Sequence, residues 1–288
     1  MSKPTGNRQS ARRHEPRRLP WFAWAVIGLA ATTLTVVLCA ALGGVPSAPR
    51  HSEPAAAILD QLHSLQPNDD FIAHTTDELE RYGFQVDLYQ GDDVTVDLYG
   101  ALPDYGYSLL ILRAHSGILS HQAGSHREVT RATCLFTNEP YTELKHVKEQ
   151  FDGQLARARV TEGFPVVFGV GARFVRRSAD CTFPNTVVIM MGCSGLQLDD
   201  LADAFIDKGA SAYLAWDGPV GLDYVDRAGA CLVANLCEEG LTLRDAVDRT
   251  RDQEGPDPRY GARLKYRPAS AGDSTLKQLI NRNVPAHS

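Results

Sequence analysis

Three short runs are apolar almost from end to end: SLLILR at 108–113, TVVIMM at 186–191 and ASAYLAW at 210–216. Runs of this length suit strands covered on both faces, the situation in a parallel sheet. Parallel neighbours need crossovers, and the intervening segments carry helical patterns. Asp70–Tyr82 reads as a helix stopped at Gly83, and Leu198–Lys208 sets Leu201, Ala204 and Phe205 on one face before Gly209. Asp226–Glu238 and Leu243–Arg251 read as further helices, and Ala55–Leu65 as an apolar-periodic one. Phe84–Tyr89 and Val94–Tyr99 alternate like two strands joined by a turn at Gly91–Asp93; Pro165–Gly171 and Phe174–Val175 are further strand candidates. The expected fold class is therefore α/β, a three-layer sandwich with a mostly parallel central sheet flanked by helices.

A different signal precedes this domain. No residue from Trp21 to Val45 is charged, and about 20 apolar residues suffice to cross a bilayer as a helix. Trp21 and Trp24 stand at its start, where interfacial aromatics belong, and the arginines cluster before it. The expectation is one N-terminal transmembrane helix, single-pass in the cell membrane, with a cytoplasmic N-terminus and an extracytoplasmic C-terminal domain. A cleaved signal peptide is the alternative, since Ala40, Ala41, Gly43 and Gly44 follow the apolar stretch. The chain thus divides into a basic tail (1–19), an anchor (20–45), a Pro- and Ser-containing linker (46–54) and an α/β domain (55–288).

Charge narrows the partners. The whole chain carries −6. The first 19 residues carry +5, from six Lys and Arg against Glu15, which leaves −11 for the remainder. An acidic body lacks the footprint that nucleic acid requires, so no nucleic-acid partner is expected. Of six cysteines, Cys134, Cys181, Cys193, Cys231 and Cys237 follow the anchor, an odd number that leaves at least one thiol unpaired within the chain. Most read as small buried hydrophobes, with Cys134 and Cys181 the candidate pair for a disulfide. No Cys/His spacing resembles a zinc site and no phosphate-binding loop occurs, so neither metal nor cofactor is expected.

Two of the apolar runs end in a reactive residue. His115 follows SLLILRA, and Cys193 follows TVVIMMG. In open α/β sheets, sites form beyond the carboxyl ends of the strands. If the two strands are neighbours, about 4.8 Å apart, both side chains emerge at one edge. A thiol needs a base or a positive neighbour to act as a nucleophile at neutral pH, and an imidazole supplies it. Gly192 and Gly195 permit a tight turn around the cysteine. The backbone N–H of Cys193, with that of Gly117 or of Ser116 before it, is the candidate oxyanion hole. The helix expected to start near Leu198 points its positive end toward the thiol. A lone buried cysteine is more often packing, and His115 alone reads equally as a hydrogen-bonded turn residue; the joint placement favours catalysis. His121, His126 and His146 lack a preceding strand and read as surface residues. Arg113 is either an anchor for a substrate carboxylate or an ion-pair partner.

A hydrophobic block ending in His115-Ser116-Gly117, followed by one ending in Gly192-Cys193-Ser194-Gly195, resembles the clan of cysteine peptidases that holds caspases, legumain, clostripain, gingipains and separase, with the CHAT domains. The stretch from Phe205 through Lys208, Gly209 and Ala210 to Trp216-Asp217-Gly218-Pro219-Val220 is similar to the helix and strand after the cysteine in gingipain and CHAT relatives. The likeness covers roughly residues 105–250. It implies a caspase-like fold and a His-Cys dyad, carried onto His115 and Cys193, acting on a peptide or protein substrate. It also implies a substrate pocket near Trp216 and Asp217. Asp217, Asp223 or Asp226 is then placed to pair a basic side chain before the cleaved bond, unless these acids simply belong to an acidic surface. The caspase pattern Gln-Ala-Cys is absent. His115 and Cys193 lie 78 residues apart rather than about 50, so residues 118–160 read as an insertion.

Three functions compete: an active cysteine endopeptidase, a non-catalytic surface binding module on the same scaffold, and acyl transfer to an amine by sorting or transpeptidation. A fold does not choose among them.

Overall fold

The computed structural model describes residues 51, 54–123, 128–177 and 180–281. The apolar run Trp21–Val45 lies outside them. Among the described residues no helix is long and apolar enough to cross a membrane.

The chain enters through strand β1 (Ala55–Asp60), helix α1 (Asp69–Tyr82), β2 (Gln85–Gln90), α2 (Val96–Tyr105) and β3 (Leu109–Arg113). It then builds β4 (Ser116–Ala123), β5 (Glu128–Pro140), the short α3 (Val147–Phe151), β6 (Leu155–Ala158), β7 (Val167–Gly171) and the single turn α4 (Ala172–Val175). It returns through β8 (Val187–Met191), α5 (Asp200–Asp207), β9 (Ala212–Trp216), α6 (Leu222–Cys237), α7 (Leu243–Glu254), β10 (Leu264–Arg267) and α8 (Leu276–Ile280). The central sheet has the order β10-β9-β8-β3-β1-β2. All its pairs are parallel except β10 with β9. The molecule is thus α/β, with a mixed, mostly parallel sheet flanked by helices.

The three apolar runs become β3, β8 and β9, buried along their full length. One face of the sheet sets Ile58, Ile111, Ile189 and Leu214 into a core shared with α1, α6, α7 and α8. On the other face Tyr213 stacks on Phe205 of α5, with ring centroids 5.7 Å apart, and Leu102 of α2 approaches Leu110.

Several expectations are corrected. Residues 55–60 form β1, not a helix. The three alanines favour a helix intrinsically, but a place between β2 and β3 buries all six residues, and that burial overrides propensity. Val94–Tyr99 is no strand: Thr95 caps α2 by accepting the Leu98 N–H at 3.1 Å, and the helix runs on to Tyr105. Residues 174–175 belong to the turn α4. The described part of the presumed insertion forms a second, antiparallel sheet, β4-β5-β7-β6, which grows directly from the end of β3 and takes in residues 167–171 as well.

Candidate active site

β3 and β8 are parallel neighbours, in register from Leu109↔Val187 to Arg113↔Met191. His115 and Cys193 therefore stand at matching positions, two residues beyond the last pair. They share the carboxyl edge of the sheet, beside the point where the strand order reverses between β1 and β3. The two strand ends are tied together. The Ala114 N–H donates to the Met191 carbonyl at 3.2 Å, and the Ser116 hydroxyl donates to the Cys193 carbonyl at 2.6 Å.

Glycine is needed here for space. A Cβ on Gly192 would collide with the Ala114 carbonyl and stand 2.8 Å from Ser116 Oγ, and one on Gly195 would stand 2.6 Å from Met190 Sδ. Ser194, the residue after the cysteine, holds φ at 59°, in the left-handed region that non-glycine residues rarely occupy. Such a conformation costs of order 1 kcal/mol or more and collects at functional turns.

His115 is positioned from below. Its backbone N–H donates to Gln61 Oε1 at 2.9 Å. Gln61, 2% exposed, donates in turn to Asn138 Oδ1, and Asn138 donates to the carbonyls of Gln61 and Gly91. The imidazole faces Phe136, centroid to centroid 6.2 Å. Burial, and then the nearby Arg113 charge, hold its pKa below the ordinary histidine value. It is consequently neutral at pH 7, the form a general base requires.

Arg113 is an ion-pair partner, not an open substrate anchor. It is fully buried, donates from Nε and Nη2 to Asp226 at 2.8 Å each, and pairs with Asp60 through Nη1. Asp226 is thereby committed to the interior. Asp223 accepts from Gln66 at 3.0 Å. Asp217 pairs with Lys265 at 2.8 Å and accepts the Arg263 N–H. Trp216 is fully buried, its indole N–H on the Tyr224 hydroxyl. Of the two residues of the expected substrate pocket, Trp216 is thus buried and Asp217 is paired with Lys265.

The sulfur of Cys193 lies against the start of α6. Its Sγ accepts the Val220 N–H at 3.5 Å and donates to the Val220 carbonyl at 3.7 Å. Asp257, 2% exposed, fixes this turn by accepting the Gly221 N–H at 2.7 Å. The thiol is therefore held by the turn that leads into α6. The helix expected to point at it, α5, begins only at Asp200, whose carboxylate accepts from Thr133. No hydrogen bond joins the imidazole to the thiol among the described residues.

Among the described residues the other cysteines, Cys134, Cys181, Cys231 and Cys237, are free thiols, which removes the candidate disulfide. Burial pushes Cys134 and Cys237 up to about 12, and raises Cys181 and Cys231 above the ordinary thiol value. His146 is not a free surface residue: its ring bonds to the buried Glu139 at 3.0 Å. His126, and the side chain of His121, lie outside the described residues. Among the described residues no group of three or more His, Cys, Asp or Glu is placed to hold a metal ion.

The antiparallel pairing decides between the oxyanion candidates. The Phe136 N–H donates to the His115 carbonyl at 2.9 Å, so that pair is a hydrogen-bonded one. Hydrogen-bonded and non-bonded pairs alternate. Ser116↔Leu135 is then non-bonded and Gly117↔Cys134 bonded. The Gly117 N–H is consumed in the ladder, and the Ser116 N–H is the one that faces away from β5. The Cys193 N–H has no acceptor among the described residues.

Gln61, Asn138, Val220 and Asp257 were not legible as site residues. Gln61 lies within a segment that reads as a helix, and Asn138 lies in the apparent insertion. Fold and site together define an α/β protein with a histidine and a cysteine at the carboxyl edge of its two middle parallel strands. Comparison with known proteins finds no family model that matches the chain, and no curated protein that matches it either.

Proposed function

We propose that the protein is a cysteine endopeptidase of the caspase-like kind, with Cys193 as nucleophile and His115 as base, held at the membrane by residues 20–45. The observation that carries this reading is the register of β3 with β8, which brings His115 and Cys193 out at one sheet edge on matching positions.

In the proposed reaction His115 takes the thiol proton, and the Cys193 thiolate attacks the peptide carbonyl carbon. The N–H groups of Cys193 and Ser116 receive the oxyanion. The C–N bond breaks as the imidazolium gives its proton to the leaving amine, leaving a thioester. Water, deprotonated by His115, then releases the acid and the free thiol.

The test is labelling with a peptidyl electrophile. Cys193→Ala is expected to abolish labelling, and His115→Ala to slow it by about 10²-fold or more, the usual share of a general base. Equal labelling of the wild type and His115→Ala would overturn the dyad and favour the non-catalytic binding module, for which the packing of Sγ on Val220 would be an end in itself.

A further inference from the structure

β4 is an edge strand of the second sheet, and it begins at the residue after His115. The direction of its main chain follows from two hydrogen bonds. The Ala114 N–H points to β8, where it meets the Met191 carbonyl, and the His115 N–H points the opposite way, to Gln61. Along extended backbone these directions alternate. The N–H groups of Ser116 and Ile118 therefore open on the side that carries Cys193, while Gly117 and Leu119 pair with Cys134 and Ala132 of β5. Nothing pairs with the outer edge of β4 among the described residues. A Cβ built on Gly117 meets no atom within 4 Å, so the strand is also uncrowded at this point.

The geometry points to this edge as the seat of an extended polypeptide substrate, added to β4 as a further strand. The inference rests on the peptidase reading and specifies how that site takes its substrate. An open edge is a row of unpaired N–H and C=O groups, which is what strand addition uses. This edge is continuous with the site, because the Ser116 N–H belongs at once to the oxyanion position and to the edge, and the Ser116 hydroxyl holds the Cys193 turn. A peptide whose scissile carbonyl lies at Ser116 and Cys193 meets the N–H and C=O of Ile118 with a residue further along its chain. Recognition is then carried by the substrate backbone, in keeping with the acids Asp217 and Asp226 being already paired, with Lys265 and Arg113.

The discriminating variant is Ile118→Pro. Proline removes the outward N–H and leaves the inward ladder of Gly117 and Leu119 intact, a placement that edge strands accept. The expected result is a fall of at least tenfold in kcat/KM for an extended peptide, mainly through KM. The rate at which iodoacetamide labels Cys193 stays within twofold of wild type, and Ile118→Val behaves as wild type. An unchanged kcat/KM in Ile118→Pro overturns the proposal. A scan of singly N-methylated peptides on the wild-type protein gives a second reading that needs no variant. Loss at alternate positions supports strand addition, and uniform tolerance refutes it. Failure of the peptidase reading itself would show separately, as wild-type protein without cleavage and without His115-dependent labelling of Cys193.

Discussion

The chemistry proposed for this protein depends on a few atoms that leave no room for others. Gly192 is the sharpest case, because a methyl group there meets the Ala114 carbonyl and Ser116 Oγ at the join of β3 and β8. Gly192→Ala is expected to destabilise the fold by about 1–3 kcal/mol, the usual cost of overpacking, read as a lower urea midpoint. Arg113 is held between Asp60 and Asp226 with no exposure. Arg113→Met leaves two buried carboxylates without their cation, and a loss of about 3–5 kcal/mol is expected. His115 adds a pH dependence. Its folded pKa lies below the value of about 6.5 expected in the unfolded chain. As pH falls through 6.5 the unfolded chain takes up a proton that the folded one refuses. The stabilisation is thus complete above that pH and is lost below it. Urea midpoints at pH 7.5 and 5.5 should therefore differ less in His115→Gln than in wild type.

At the scale of elements, what could be read from the chain was whatever local pattern decides. β3, β8 and β9 are apolar throughout, and α1 carries Asn68 before it and Gly83 after it as explicit ends. The misreadings have a common cause in tertiary placement. AAAILD is a strand because of its neighbours, and the alternation in 94–99 is broken by the Thr95 cap and by Glu139, whose carboxylate accepts the Val96 N–H at 3.1 Å. Thr95→Ala is expected to cost about 1 kcal/mol, visible in thermal unfolding. The second sheet was illegible as a sheet because its pairs join β5 to β7 across α3 and β6. α3 and the turn before it depart from the rest: Leu144, Val147 and Phe151 are 88, 58 and 92% exposed. Phe151→Ser should therefore shift stability by no more than about 0.5 kcal/mol, as substitutions at exposed sites generally do.

For the whole molecule, the proposal of a membrane anchor makes a direct claim on partitioning. The full chain is expected in the membrane fraction and resistant to extraction by salt, and a chain lacking residues 1–48 in the soluble fraction with Cys193 labelling retained. Recovery of the full chain in the soluble fraction would end the anchor reading. The His115–Cys193 pairing was readable in outline, since each residue closes an apolar run. That the runs adjoin was not, because His115 and Cys193 lie 78 positions apart in the chain and only the folded sheet sets β3 beside β8.

That separation has a consequence for the order of events as the chain is made. The imidazole emerges first, followed by the whole antiparallel sheet, and the sulfur only after that. A growing chain carries the proposed base without the proposed nucleophile until β8 slots in beside β3, a long-range closure that is among the slower steps available to a fold. Reactivity of Cys193 toward a peptidyl electrophile should accordingly appear late in refolding, together with burial of the sheet's centre, and no fragment ending before residue 193 can show it.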